Sequence, residues 1–341
     1  MTTLTIPFCS TYRPMLHERP TMIITKPCEP AVTKVVLLKG GKSGEREISL
    51  KSGAACAEAL REEGFEVIEI DPADDGALQQ IADEKPSVVF LALHGKYGED
   101  GCIQGFCELL GVPYTGSGVL ASALAMDKER AKIIYKEAGL NTAPWVVIHP
   151  EDKRDAASII EELGEKVVVK AVHQGSSLGV YIVEGALELE EAIADAFTFD
   201  DTVIVEKYIQ GTETTVAVLG NNEPEALPVI EIVPQGESTT YDFTAKYAAG
   251  GSKHIIPARL DDRVTAACQE MALRAHAALG CRGVSRTDIF VDEHGICWAI
   301  ETNTLPGMTA TSLLPDTAGT VGISFGALCR MLVELALEEH A

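Results

Sequence analysis

Between Arg286 and Asn303 the chain sets two carboxylates, an amide and a guanidinium around one turn: Arg286-Thr-Asp288-Ile-Phe-Val-Asp-Glu-His-Gly-Ile-Cys-Trp-Ala-Ile-Glu301-Thr-Asn303. Apolar runs flank Asp292-Glu293-His294-Gly295, the pattern of a β-hairpin with a four-residue loop. With Val291 opposite Ile296, Asp288 falls opposite Ala299 and Arg286 opposite Glu301. Alternate residues of a strand share a face, and directly opposed residues point the same way. Asp288, Glu301 and Asn303 then converge on one side. Thr287, Ile289, Val291, Ile296, Trp298 and Ile300 make the other side, a core face. Two carboxylates and an amide oxygen suit a hard divalent cation shared with phosphate oxygens. A solvated face is the commoner fate of hairpin carboxylates. Here Arg286 joins the same face and Leu305-Pro-Gly307-Met-Thr follows at once, which favours the metal. A slip of one residue would put Asp288 and Glu301 on opposite faces.

Elements that must position this hairpin are legible upstream. Lys34–Leu38 reads as a buried strand and runs into Gly40-Gly-Lys-Ser-Gly44-Glu45. A helix to about Glu63, a strand at 67–70, a helix at 78–84 and a strand at 87–93 follow, the last ending at His94-Gly95. That alternation predicts an open parallel α/β sheet, with ligands beyond the carboxyl ends of its strands. Gly40–Glu45 and His94 both fall there. Gly41-Lys42-Ser43 is not a phosphate-binding P-loop, because the required upstream glycine position is Val36.

Tyr114–Gly118 reads as a linker. A helix opens at Asp127-Lys128. Two short strands end and begin at Lys170 and Val180 and bracket Ala171-Val-His-Gln-Gly175-Ser176-Ser177-Leu-Gly179. Amides and hydroxyls of such a hairpin can cover a polyphosphate, although an ordinary flexible hairpin has the same composition. A strand at 203–207 leaves through Glu206-Lys207-Tyr208-Ile209, and strands at 213–219 and 228–233 follow. Residues 236–252 contain Lys246-Tyr247 and read as a lid loop. Helices are expected over 261–279 and 324–337. Met1–Ala31 shows no apolar period and reads as a disordered or loosely attached extension, without the pattern of a secretory signal.

Composition narrows the partners. The 341 residues allow two or three domains. A formal net charge of −23 disfavours nucleic acid and anionic membranes. Nine cysteines without any CxxC spacing fit free thiols in a reducing cytoplasm better than disulfides or zinc. No run of eighteen apolar residues occurs, so no membrane span is expected.

Lys128, Lys170, the Gly/Ser hairpin, the Glu206-Lys-Tyr-Ile elbow and the Asp288…Glu301-x-Asn303 hairpin, in that order, resemble the ATP-grasp enzymes. Glu45-Arg-Glu-Ile-Ser, Ala92-Leu-His94-Gly, Gly98-Glu-Asp-Gly-Cys-Ile-Gln-Gly, Pro113-Tyr-Thr-Gly-Ser, Ala-Lys-Tyr247 and Asn303-Thr-Leu-Pro-Gly-Met-Thr further resemble the D-alanine–D-alanine ligases. The resemblance covers Lys34 to the C-terminus. It implies an α/β ATP-grasp fold of three α/β domains at 34–117, 118–207 and 208–341, after an extension at 1–33. The first would carry the parallel sheet, and ATP would lie between the central and C-terminal domains.

The same resemblance implies the roles. Lys128, Lys170 and Lys246 would neutralise phosphate charge, with Ser177 in the phosphate cover. The elbow Glu206, Lys207, Tyr208 and Ile209 would meet adenine, and Glu213 the ribose. Asp288, Glu301 and Asn303 would hold two Mg²⁺ ions, or Mn²⁺. Glu45 would pair with the ammonium of the first D-alanine. Arg286 and the Gly307 amide would stabilise the oxyanion, and Ser312 with the Leu313 amide would take the second carboxylate. Ser176 and Tyr247 would link with Glu45 when the lid closes. His94 is either a pocket residue or a satisfied structural histidine. Ala171 stands where the family usually has Pro, and His173-Gln174 where Arg-Glu is common. The resemblance also implies a cytoplasmic homodimer. Ligases that make D-alanyl-D-lactate or D-alanyl-D-serine share nearly all these motifs, and Tyr247 separates them from the lactate-forming group. A non-catalytic nucleotide-binding module could lose Arg286, Asp288 or Glu301, and all three are present.

Overall fold

The structure, a computed structural model, describes residues 26–152, 154–175, 179–235, 251–309 and 311–338. Ser176, Ser177, Lys246, Tyr247 and most of the expected lid lie outside the described residues. Three sheets carry the rest. The first contains β1 (Lys34–Leu38), β2 (Glu66–Ile70) and β3 (Val88–Leu91), in the order β2-β1-β3 and all parallel. Helices α1 (Arg46–Glu62) and α2 (Ala77–Glu84) cross between its strands, and α3 (Cys102–Leu110) follows. β1 is continuously apolar because both its faces are covered. Val35 and Leu37 pack with Leu60 on one side, and Val36 and Leu38 with Ile81 and Ile103 on the other.

Helices α4 (Val119–Met126) and α5 (Lys128–Glu137) lead to the second sheet. Asp127 starts α5: its carboxylate accepts from the Arg130 amide at 2.9 Å, satisfying one of the orphan donors of the first turn. The second sheet holds β4 (Trp145–Ile148), β5 (Lys166–Ala171), β6 (Val180–Glu184) and β7 (Val203–Lys207), in the antiparallel order β4-β7-β5-β6. Helices α6 (Ala156–Leu163) and α7 (Ala186–Ala196) cover the face made by Val167, Val169, Val203 and Val205. Lys170 and Glu206 alternate with those residues and so leave by the opposite face.

The third sheet has six antiparallel strands. β8 (Gly211–Leu219) pairs with β9 (Glu225–Ala226) and β10 (Ile230–Pro234) on one edge and, along its whole length, with β12 (Val284–Asp292) on the other. β11 (Ser252–Ile255) and β13 (Cys297–Asn303) take the edges. Helix α8 (Asp262–Leu279) packs Cys268, Met271, Ala272 and Ala275 onto it. Helices α9 (Leu313–Thr320) and α10 (Phe325–Glu338) end the described chain, and α10 returns to the first sheet, where Leu328 and Leu332 share a core with Val35 and Leu60.

The β12–β13 hairpin is present, but its register corrects the sequence reading. Asp288 stands opposite Glu301 and Arg286 opposite Asn303, not opposite Ala299 and Glu301. A bulge after Asp288 shifts the pairing, so Val291 meets Cys297 rather than Ile296. The turn keeps four residues but lies at 293–296 rather than 292–295, and Asp292 Oδ1 accepts from the amides of both His294 and Ile296 at 2.9 Å. The distal half is therefore rotated by one residue. Cys297 and Ala299 join Ile289 and Val291 in the core, whereas Ile296, expected inside, is exposed. Trp298 and Ile300, also expected inside, are half-buried. Asp288, Glu301 and Asn303 keep a common face, since the new proximal register differs from the expected one by two residues.

The end of the expected extension is also corrected. Residues 26–28 lie against α10: the Lys26 amide donates to Glu338 Oε1 at 2.6 Å and the Cys28 amide to Glu334 Oε1 at 3.3 Å. Cys28 packs on the core shared by α1 and α10, and Pro30–Val32 forms a short 3-10 turn. Among the described residues no single helix is long and apolar enough to cross a membrane.

Candidate active site

Segments leaving the first sheet supply one wall of an open cleft. Glu45 precedes α1 and His94 follows β3, and both line the cleft with Glu99. Lys128 at the start of α5, Gln174 and Gly175 of the hairpin, Arg286, Glu301 and Asn303 of the third sheet, and Gly307, Ser312 and Leu313 complete it. The cleft thus gathers nine residues that the sequence assigned to substrate, phosphate or metal. Glycine makes the close approach of Glu45 to its neighbours feasible. A Cβ on Gly95 would lie 2.6 Å from Glu45 Oε2, and one on Gly175 would lie 2.9 Å from it.

His94 is both satisfied and placed at the pocket. Its Nε2 lies 3.3 Å from Ser52 Oγ, and its carbonyl accepts from Ser43 Oγ at 2.6 Å. Burial, with the Arg286 charge as a second cause, pulls its pKa down to about 4, so the ring is neutral at pH 7. Glu99, not selected from the sequence, accepts from the Gly95 amide at 2.6 Å. Burial and the neighbouring Glu45 charge push its carboxyl well above the usual range. The quoted motif Gly98-Glu-Asp-Gly contained the signal, but no spacing rule pointed Glu99 toward Glu45.

On β12, Arg286 Nε and Nη2 donate to Asp288 Oδ1 and Oδ2 at 2.9 and 3.0 Å. This two-pronged geometry is the strongest arrangement available to a guanidinium and a carboxylate. Thr215 Oγ1 on β8 also donates to Asp288 Oδ1. Asp288 faces Glu301 across the ladder, and Asn303 stands two residues further along β13. Asn303 Oδ1 accepts from the Leu305 amide at 2.8 Å, which orients the amide group. The donor set is all oxygen and doubly anionic, and it fits Mg²⁺ or another hard divalent ion.

The backbone at Gly307 passes close to Ser312. A Cβ there would meet Ser312 Oγ at 2.9 Å. Ser312 Oγ accepts from the Thr309 amide at 2.9 Å, and Ser312 is the N-cap position of α9. The amides that open α9 therefore border the cleft, where a helix N-terminus favours a carboxylate.

The residues that the sequence assigned to the nucleotide are split. Lys128 Nζ donates to the carbonyls of Val172 and Gln174 and reaches the cleft. Lys170 and Glu206 lie behind it in an ion pair of 2.7 Å, and Glu206 also pairs with Lys132 at 2.9 Å. Burial pulls the Glu206 carboxyl upward, but Lys132 and Lys170 outweigh it and hold the pKa at about 2. Sequence reasoning missed Lys132. Its signal was a second lysine one turn after Lys128, beside the apolar Ala131 and Tyr135. Lys207 ends β7, Tyr208 and Ile209 lie in the connection and Glu213 lies in β8; these residues and Asp288 do not line the cleft itself. The Lys166 ammonium sits 4.3 Å from the centre of the Tyr208 ring. At the family's usual Arg position, His173 Nδ1 lies 3.1 Å from Asp200, and Nε2 lies 3.6 Å from Asp127. Bonds to Asp127 and Asp200 raise its pKa to about 10, so it supplies a cation there.

Two family models match the chain: the D-ala D-ala ligase N-terminus over residues 75–117 and the D-ala D-ala ligase C-terminus over residues 134–334. The chain belongs to the D-alanine–D-alanine ligase family. It is 48% identical over 305 residues to the D-alanine–D-alanine ligase of Syntrophobacter fumaroxidans, covering 89% of this chain and 98% of that one. The corresponding ligase of Pelotomaculum thermopropionicum is 45% identical over 311 residues, covering 89% and 97%. A crystal structure of D-alanine–D-alanine ligase from Bacillus anthracis complexed with ATP superposes with a TM-score of 0.79 at 31% identity, over 91% of this chain and 99% of that one. The ligase thus has the ATP-grasp fold expected from its motifs, and the cleft lies where its three sheets meet.

Proposed function

We infer that this ligase joins two D-alanine molecules with cleavage of ATP, through an acyl phosphate, to supply D-alanyl-D-alanine for peptidoglycan precursors. The observation that carries the reading is the convergence of Glu45, Arg286, Gly307 and the Ser312–Leu313 helix start on one cleft beside Glu301 and Asn303. In the first step a carboxylate oxygen of the first D-alanine attacks the γ-phosphorus, and the bond to ADP breaks. In the second the amine of the other D-alanine, after losing a proton, attacks the acyl carbonyl carbon, and phosphate leaves.

Glu45 pairs with the first ammonium. Arg286, its plane held by Asp288, and the Gly307 amide receive the oxyanion of the tetrahedral intermediate. The Ser312 hydroxyl and the Leu313 amide orient the second carboxylate, and His94 shapes the first pocket as a neutral ring. Lys128, Lys170 and Lys246 oppose phosphate charge, the 206–209 elbow and Glu213 hold the nucleoside, and Ser177 belongs to the phosphate cover. Asp288, Glu301 and Asn303 would hold two Mg²⁺ ions, or Mn²⁺, which neutralise phosphate charge when bound. Ser176 and Tyr247 close over Glu45 with the lid and exclude water, which would otherwise hydrolyse the acyl phosphate.

The ligase works in the cytoplasm as a homodimer in this reading. Leu109 on α3 and Leu120 on α4 stand exposed, apolar surface that a second copy would cover. Phosphate release from ATP tests the function: D-alanine should support it, and L-alanine should not. With D-alanine and D-lactate together the product should remain the dipeptide near pH 7. Equal turnover with L-alanine, or a dominant depsipeptide product, overturns the reading.

A further inference from the structure

Behind the cleft, three charged side chains from three elements form one cluster. Glu206 of β7 gives one oxygen to Lys132 of α5 at 2.9 Å and the other to Lys170 of β5 at 2.7 Å. Lys132 is 1% exposed, so it cannot touch a ligand in the cleft. It is nonetheless fixed from several sides: Nζ donates to Thr142 Oγ1 at 2.7 Å and lies 5.1 Å from the centre of the Trp145 ring. A buried charge this fully coordinated is expensive to keep, and a lone Lys170–Glu206 pair would need no second lysine. We propose that Lys132 is a positioning residue for the phosphate end of the nucleotide: by satisfying Glu206 it leaves the triad with one net positive charge, presented through Lys170.

Two lysines and one glutamate sum to one positive charge, whereas Lys170 with Glu206 alone would sum to none. The charges of Glu301 and Glu213 reach Lys170 and, with Glu206, raise its pKa against the opposing effect of burial. Lys170 is therefore electrically coupled to the residues assigned to metal and ribose. By Coulomb's law alone, two unit charges about 8 Å apart at an effective dielectric constant of about 20 interact strongly enough to change an affinity more than tenfold. The effect should scale with phosphate count.

The inference rests on the reading that ATP lies beside Lys170, and the variants separate the two. Adenosine, ADP and ATP are titrated calorimetrically into the full chain with Mg²⁺. In Lys170→Met the ratio of ATP to adenosine affinity should fall, and an unchanged ratio there overturns the nucleotide reading itself. In Lys132→Met that ratio should fall about tenfold, with adenosine affinity nearly unchanged. Adding Glu206→Gln to Lys132→Met restores a net charge of one and should return the ratio to near the wild-type value. If Lys132→Met does not fold, Glu206→Gln and the double variant differ by the same single charge, and the ratio should be higher in Glu206→Gln. Equal loss for all three ligands in Lys132→Met, or no difference across that second charge step, overturns the role of Lys132.

Discussion

Arg286 and Asp288, two residues apart on β12, share two hydrogen bonds of 2.9 and 3.0 Å. In the proposed roles the pair couples the oxyanion donor to the metal face, so a change at one would disturb both. Asp288→Asn keeps the shape but loses the charge and one acceptor toward Arg286. It should reduce phosphate release by at least about a hundredfold, as loss of a preorganised electrostatic group does. Glu301→Gln should do the same by weakening the proposed metal site. Both variants should retain the wild-type circular dichroism spectrum. Near-normal turnover of either at ordinary Mg²⁺ would remove these residues from the metal site.

Tyr247 lies outside the described residues, and its expected role comes from the sequence. D-lactate carries a hydroxyl where D-alanine carries an ammonium, and in the proposed role the Tyr247 phenol would bear on the choice of nucleophile. Tyr247→Phe should lose dipeptide rate by on the order of 1–2 kcal/mol and gain relative use of D-lactate. Product analysis with equal D-alanine and D-lactate reads the outcome. An unchanged ratio would place specificity elsewhere in the pocket.

His173 makes stability depend on pH in a defined window. Its ordinary value is 6.5, and bonds to Asp127 and Asp200 raise it to about 10. The folded state therefore binds the proton more tightly than the unfolded state. That stabilisation is complete below about pH 6.5 and is lost as pH rises through about 10. His173 is nearly half exposed, so solvent screening limits the effect to on the order of 1 kcal/mol. His173→Ala should lower Tm at pH 6 and have little effect at pH 10.5. An equal loss at both pH values would show packing rather than charge.

Truncation separates the outer extension from residues 26–31. The amides of Lys26 and Cys28 bond to Glu338 and Glu334, and Cys28 covers part of the α1–α10 core. Removing residues 1–31 should cost about 1–2 kcal/mol, a fall of a few degrees in Tm for a chain of this size. Removing 1–25 keeps these bonds. Equal melting of both truncations would show that the 26–31 segment contributes nothing.

The chemistry of this ligase is local enough to be read from its residues. Asp288, Glu301 and Asn303 share a face because strand alternation has a period of two, and a register error of two residues leaves that parity intact. The parallel sheet follows from apolar runs at 34–38 and 87–93 separated by helical patterns, and Glu45 and His94 fall at its carboxyl edge by the same logic. What the tertiary structure decided depends on contacts between distant segments. The bulge after Asp288 arises where β12 must pair with β8 and β13 together, and it sends Ile296 outward and Cys297 inward. Lys132, Lys170 and Glu206 are far apart in sequence, and they become a charge triad only because α5, packed against α8 and the third sheet, directs Lys132 to Glu206 of β7. Glu99 likewise becomes a pocket residue only where the turn after β3 meets the start of α1. Short-range periodicity orients a side chain along its own element. Arg286 and Asp288 meet within one strand, but where a desolvated charge has no partner among its neighbours in sequence, as with Lys132, Lys170 and Glu206, the packing of the elements decides which charges find one another.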